Sequence, residues 1–473
     1  MRADNLEAAR YNKYRRVAPQ WEFFPCLKHI IRVVRLFISY NFSYYFISCF
    51  TFAKKIVRKS LKMYLSTVLS TVTALAGLAA AAPAGHAPGP AGAGAPGGAA
   101  PTPFVIPTDD GFPNPSPDQL KVIQQIADGT LSNAPPPAKV NESSFPVFQL
   151  IAFNEQFEVA FFSSLVANIT NNVPGFTLPN PQKKDELLDI LETVLAVCYF
   201  PIFPSFLGLP LTTPQQEKLH AINAQKTLAN FNAFVPVPCK YQFPTSNIYE
   251  AIALAERFTD LVLGTLQDAA QTLARNGDVG PVRGVTASLG QEGQQEGFYR
   301  ILLSKKPSEK PFLTTNVAAF AFSALQQFIV PGSCPFPLSN IKLPIFTPLN
   351  VLSGAGGTNV EPRDQHLSFS VDTTGVAAAD SYVGKPNGLF VTYFSGQLLP
   401  ISMPIVNVKW SGRVATFEAE FPFSANEMVG LTVASLTTSG KFAAPGEVVA
   451  ATLAAPGLIQ VDDRVKSWDG FKL

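Results

Sequence analysis

Phe153-Asn154-Glu155-Gln156-Phe157-Glu158-Val159-Ala160-Phe161-Phe162 is the stretch on which the reading of this chain turns. Glu155 and Glu158 stand three residues apart, so a helix puts them on one face, and Ile151, Phe162 and Leu165 continue that stripe with apolar side chains. Three further segments with helical periodicity carry acids where a core would want hydrophobes. Glu217-Lys218-Leu219-His220 is a Glu-x-x-His pair, and Ile248 to Leu273 holds Glu250, Glu256 and Asp260. The fourth is Glu292-Gly293-Gln294-Gln295-Glu296-Gly297-Phe298-Tyr299-Arg300. Carboxylates buried without partners are costly or become protonated, so several converging on one helical interior are best explained by a bound cation.

Two helices each giving a Glu, and two giving Glu-x-x-His, is the arrangement of di-iron and di-manganese carboxylate bundles, and oxygen with imidazole donors suits iron, manganese or zinc. For Glu158, Glu250 and Glu296 a solvated helix face explains the residues equally well. For Glu217 and His220 the alternative is an ordinary capped helix start.

The order Glu155, Glu217-x-x-His220, an acidic third helix and Glu292-x-x-Gln295 resembles the ferritin-like family. Phe153 to Glu158, Phe258-Thr259-Asp260-Leu261-Val262-Leu263-Gly264-Thr265-Leu266-Gln267-Asp268 and Gly290-Gln291-Glu292-Gly293-Gln294-Gln295 are similar to its fungal late-sexual-development and stress-response branch. The resemblance covers roughly residues 140–340 and, more loosely, the tail. It implies Glu155 as the first-helix ligand, Glu217 and His220 as the second-helix pair, and Glu292 as the fourth-helix glutamate. The third-helix ligand is Glu256 or Asp260, which fit equally, and Glu158 lies beside the set. Gln295 departs from the pattern, standing where the family has a second histidine, and an amide binds metal poorly. The centre expected is therefore a degenerate carboxylate site for iron or manganese, or one holding no metal. The resemblance links the chain to stress or sexual development and names no reaction.

The rest of the chain frames this core. From about residue 345 the apolar period changes to two: Val406, Val408 and Trp410 alternate with polar neighbours, as do Ala415, Phe417, Ala419 and Phe421. The fold class expected is α+β: a ferritin-like four-helix bundle over 141–340, then a small all-β, sandwich-like domain over 345–473. Residues 83–140, rich in Ala, Pro and Gly, read as a linker with one short helix near Gln119 to Ile126.

Residues 63–82 read as a signal peptide, an apolar run ending in small residues, which makes Met63 the expected start and 1–62 an upstream or leader segment. The alternative is a membrane anchor through 36–53. The first 62 residues hold 13 of the 36 Lys and Arg and 3 of the 34 Asp and Glu, so the rest of the chain is net acidic. That excludes a basic nucleic-acid surface on the folded part. The absence of G-x-S-x-G, P-loop and C-x-x-C motifs leaves hydrolase, nucleotide and thioredoxin chemistry without support.

Residues 197–215 interrupt the second helical segment with a Pro-broken apolar run. Removing them joins Leu188, Leu191 and Leu195 in register with Glu217 and His220, as a retained intron would explain. Without that insert and the leader, the five cysteines reduce to Cys239 and Cys334, which are expected to form a disulfide in a secreted protein. Asn141-Glu142-Ser143 and Asn168-Ile169-Thr170 are glycosylation sequons. The expected location is outside the cell or in its wall, with the β-domain meeting wall or surface partners. The competing function is a structural or interaction protein that has lost its metal.

Overall fold

The computed structural model describes residues 103–106, 110–193 and 215–461. The leader, the signal segment, the alternative anchor, Cys26, Cys49, Cys198 and the suspected insert up to residue 214 lie outside the described residues. The described chain is a mixed α+β structure with two four-stranded antiparallel sheets.

The helices that position the site are α1 (Pro117–Ile126), α2 (Phe145–Thr170), α3 (Pro181–Thr193), α4 (Gln215–Asn230), α5 (Ile248–Arg275), α6 (Val279–Leu302) and α7 (Ala318–Leu325). Helix α2 carries the opening stretch. The sequence suggests one buried stripe, but α2 is buried nearly all round, Asn154, Gln156 and Ser163 included. The reason is its place in the fold: α3, α4, α5 and α7 all pack against it. A helix without a solvent face must bury its polar residues together with its apolar ones. Helix α5 starts on Asn247, whose side chain accepts from the Glu250 amide, and it pairs along α6. At Gly264 a Cβ would stand 2.5 Å from the Thr314 carbonyl, so glycine is what lets the segment leading to α7 cross α5 so closely.

The described part of the expected linker is tied to the helices. Phe104 bridges to Tyr241, Phe112 and Ile123 are fully buried, and Asp110 pairs with Lys218 of α4. Helix α1 opens with a capping box between Ser116 and Gln119. A few large side chains set among the prolines anchor this segment, and its helix α1 covers the short helical stretch read near Gln119 to Ile126.

The sheets have the orders β1-β2-β6-β5 and β4-β3-β7-β8. Their strands are β1 (Asn350–Val351), β2 (Gln365–Asp372), β3 (Phe390–Ser395), β4 (Ile401–Pro404), β5 (Val406–Ser411), β6 (Val414–Phe421), β7 (Leu431–Thr437) and β8 (Thr452–Gln460). In β6 the alternation is as read: Ala415, Phe417, Ala419 and Phe421 are buried, and Phe417 stacks on its cross-strand partner Phe369. Strand β5 is an edge, so Val406 stays largely exposed.

The second sheet is covered on both faces. Val391, Tyr393, Ala434 and Leu436 share a core with the first sheet, while Phe394, Leu431, Val433 and Ala455 belong to the core of the helices. Every residue of β7 is buried. The helices and sheets thus form consecutive layers with a shared interior, and the β-region is packed onto the helical one.

Cys239 and Cys334 form a disulfide across 95 residues, joining the segments that follow α4 and α7. Closing so long a loop restricts the unfolded chain. The double variant Cys239→Ser/Cys334→Ser is expected to lose about 2–4 kcal/mol of stability, read from the midpoint of guanidinium unfolding. An unchanged midpoint would show that the bond adds nothing to the fold.

Candidate metal centre

Three helices bring Glu155, Glu217, His220 and Glu292 together. Glu155 comes from α2, Glu217 and His220 from the first turns of α4, and Glu292 from the middle of α6. The spacing in α4 is what makes the pair: residues three apart face the same way, and His220 Nδ1 lies 3.1 Å from Glu217 Oε2. The same nitrogen is 3.5 Å from Glu155 Oε2 and 3.6 Å from Glu292 Oε1. The three glutamates are buried, and His220 keeps 16% of its side chain exposed.

Glu158 lies alongside, one turn on from Asn154, whose amide donates to its Oε1 at 3.0 Å. Its Oε2, Glu155 Oε2 and both oxygens of Glu292 are buried without a hydrogen-bond partner. Such oxygens are what a cation would satisfy.

Gln295, three residues after Glu292 on α6, is hydrogen-bonded into the cluster. Its amide donates to Glu217 Oε1 at 2.5 Å, and its own oxygen accepts from Tyr299 at 3.3 Å. Tyr299 is held by stacking on Phe162. This chain orients Glu217 from behind, turning Oε2 toward His220, as outer-shell partners of metal ligands do.

The electrostatics follow from burial. Burial pushes the Glu155 and Glu158 carboxyls well up, and like charges on Glu292 and Glu217 add to the effect at Glu158. Burial and the Glu217 carboxylate raise Glu292 to about 7. Burial also works to raise Glu217, but hydrogen bonds and charge from His220, with the Gln295 amide, leave it below the ordinary value. Burial opposes charging of His220, yet the surrounding carboxylates, Glu155 foremost, hold it well above the ordinary imidazole range. Three acids crowded on one base suit a divalent cation of oxygen and imidazole preference. A cavity of about 790 Å³, partly walled by Pro135, Pro137 and Val279, reaches Glu155 and His220.

Glu256 and Asp260 do not join this group. They meet Glu296 in a second one, so α5 supplies no ligand to the first. The reason is that their charges are engaged elsewhere. Glu256 accepts from Lys305 at 2.6 and 2.8 Å and from Arg300 at 3.2 Å, and Asp260 accepts from Gln460 of β8 at 2.8 Å. Nearby, Glu309 accepts from the Leu431 amide of β7 at 2.8 Å. Burial and the neighbouring acids push Asp260 and Glu296 well up. With two cations already inside it, this second group is a buried ionic seam between the helices and the second sheet.

Sequence reasoning missed Arg300, Lys305, Glu309 and Gln460. Only Arg300 left a trace, four residues after Glu296 on the same helical face. Of the sequons, Asn141 is exposed just before α2, whereas Asn168 is half-buried in the last turns of that helix. No family model matches the chain, and no curated protein matches it.

Proposed function

We propose that this chain is a secreted metal-binding protein of ferritin-like type, close to the fungal late-sexual-development and stress-response branch. Its centre holds one divalent cation, iron or manganese, on Glu155, Glu217, His220 and Glu292. The observation that carries the reading is the meeting of three buried carboxylates from three helices on one imidazole, with three of their oxygens lacking any hydrogen bond. The pairing of α2 with α4 and of α5 with α6 supports the ferritin-like scaffold. Gln295 favours a single ion over a pair, because it lends its amide to Glu217 and offers no imidazole. The disulfide supports an oxidising compartment. No helix among the described residues is long and apolar enough to cross a membrane. The link to development or stress rests on the resemblance alone.

The test is a titration of the chelator-stripped protein with Mn²⁺ and with Fe²⁺ under anaerobic conditions, read by calorimetry. One ion per chain is expected, and no heat of binding with either metal would overturn the reading. Affinity should also fall with pH. The Glu292 carboxyl, raised to about 7, is protonated below that value, so a cation must displace the proton. Binding should weaken by about tenfold or more per pH unit below about 7. It should keep strengthening above that value, because Glu155 and His220, both raised, must also give up protons to the cation. A dissociation constant flat across that range would remove Glu292 from the ligands.

The second reading is a structural or interaction protein without metal, contacting wall or surface partners through its sheets. The raised Glu155, Glu158 and Glu292 carboxyls favour it, since protons on them would neutralise the cluster. The same titration separates the two.

A further inference from the structure

Arg257 of α5 has no ion-pair partner within 4 Å among the described residues. Its Nε is buried without a hydrogen-bond partner. The acid next to it in sequence, Glu256, is held by Arg300 and Lys305 instead. Burial pulls the guanidinium down from its ordinary value, with only the charge of Glu256 opposing. A buried Nε donor without an acceptor is unfavourable, and the planar fork of the guanidinium matches a carboxylate.

Its surroundings say what kind of anion. Arg257 lines two cavities at the junction of the helices and the sheets. One, of about 520 Å³, is polar at its floor, where Glu256, Lys305 and Gln460 lie. The other, of about 690 Å³, is walled by Phe157, Phe258, Leu261, Leu325, Leu349 and Leu352. This is within the usual size of a small-molecule site, and the mixture of apolar walls with few polar groups is what such sites show. Leu352 is 51% exposed, which marks a mouth toward solvent. Beside it, the wall turns through Gly354, Ala355 and Gly356, all with left-handed backbone, φ 57°, 53° and 72°. Ala355 holds that conformation against the preference of its Cβ, and non-glycine residues so held cluster at ligand clamps.

We propose that the cavity between the helices and the sheets binds a long-chain monocarboxylate, its head on Arg257 and its chain along the apolar wall. An inorganic anion would answer Arg257 but leave that wall uncovered. A neutral lipid would fill the wall and leave the guanidinium unpaired. The site is separate from the metal centre and does not depend on it.

The experiment is calorimetric titration of the full chain with palmitate, 1-hexadecanol and acetate, in chelator-stripped and Mn²⁺-loaded protein. Palmitate is expected to bind one per chain, at least about tenfold more tightly than either comparator, and equally with or without metal. Arg257→Gln should reduce palmitate affinity to that of 1-hexadecanol. Ala324→Leu, which narrows the cavity and keeps Arg257, should weaken palmitate without affecting acetate. Palmitate binding no tighter than 1-hexadecanol or acetate in the unmodified chain would overturn the proposal. So would full palmitate affinity in a folded Arg257→Gln protein.

Discussion

Replacing Glu217 by Ala should weaken Mn²⁺ binding by on the order of 100-fold or more, because it removes a ligand and dismantles the chain of contacts behind it. Glu217 is the hub of the centre: Oε2 faces His220 at 3.1 Å, and Oε1 takes the Gln295 amide, which leads back to Tyr299. Its loss also frees His220 to turn, since no other acid lies as near to Nδ1. Glu217→Gln keeps the volume and should keep the fold, but it offers an amide where the cation needs an anion. Both variants should therefore bind Mn²⁺ far more weakly. Glu217→Ala should also lower the unfolding midpoint, because the buried Gln295 amide and His220 lose their acceptor, while Glu217→Gln should stay closer to the metal-free parent. Retained affinity in Glu217→Gln would place the ion elsewhere.

Glu256→Leu should behave in the opposite way, costing about 3–5 kcal/mol of stability and leaving Mn²⁺ affinity within about twofold. Glu256 is 1% exposed and receives both Lys305 and Arg300, themselves 7% and 0% exposed. Removing it takes the nearest carboxylate from two buried cations, leaving Arg300 with Glu296 at 3.8 Å and the Lys306 carbonyl. Breaking one side of a buried ion pair is more damaging than replacing the whole pair. The seam also involves Asp260 with Gln460, and Glu309 with Leu431, so its loss loosens the contact between the helices and the second sheet. Urea unfolding and metal titration on the same protein check both halves. A large loss of affinity would return Glu256 to the metal ligands, and an unchanged midpoint would deny the seam its structural role.

These two variants separate residues that look alike in the sequence. Helical spacing of three and acids in apolar helices singled out the segments that carry Glu155, Glu217, His220 and Glu292, and the choice of these four as a ligand set came from the resemblance. Glu256 and Asp260 satisfied the same criteria. What distinguishes them is the company they keep: Lys305 lies past the end of α6 and Gln460 in the last strand, 49 and 200 residues away. No periodicity relates such partners. For Glu296 a solvated face and a core role explained the sequence equally well, and the fold decides it: Glu296 is 3% exposed, beside Glu256 and Asp260 of α5, along which α6 packs.

The opening stretch shows the same division within one helix. Local pattern was enough to make Phe153 to Phe162 helical and to set Glu155 and Glu158 on one face, since both depend only on residues a few positions apart. It was enough, too, for the period-two strands and for the pairing of Cys239 with Cys334 by count. The layering of sheet on helix, the division of seven acids into a candidate metal centre and an ionic seam, and the placement of Arg257 between two cavities came only from the tertiary structure. Each depends on which distant side chains arrive at a given acid or base, and charge neutralisation in a buried site is decided by that arrival.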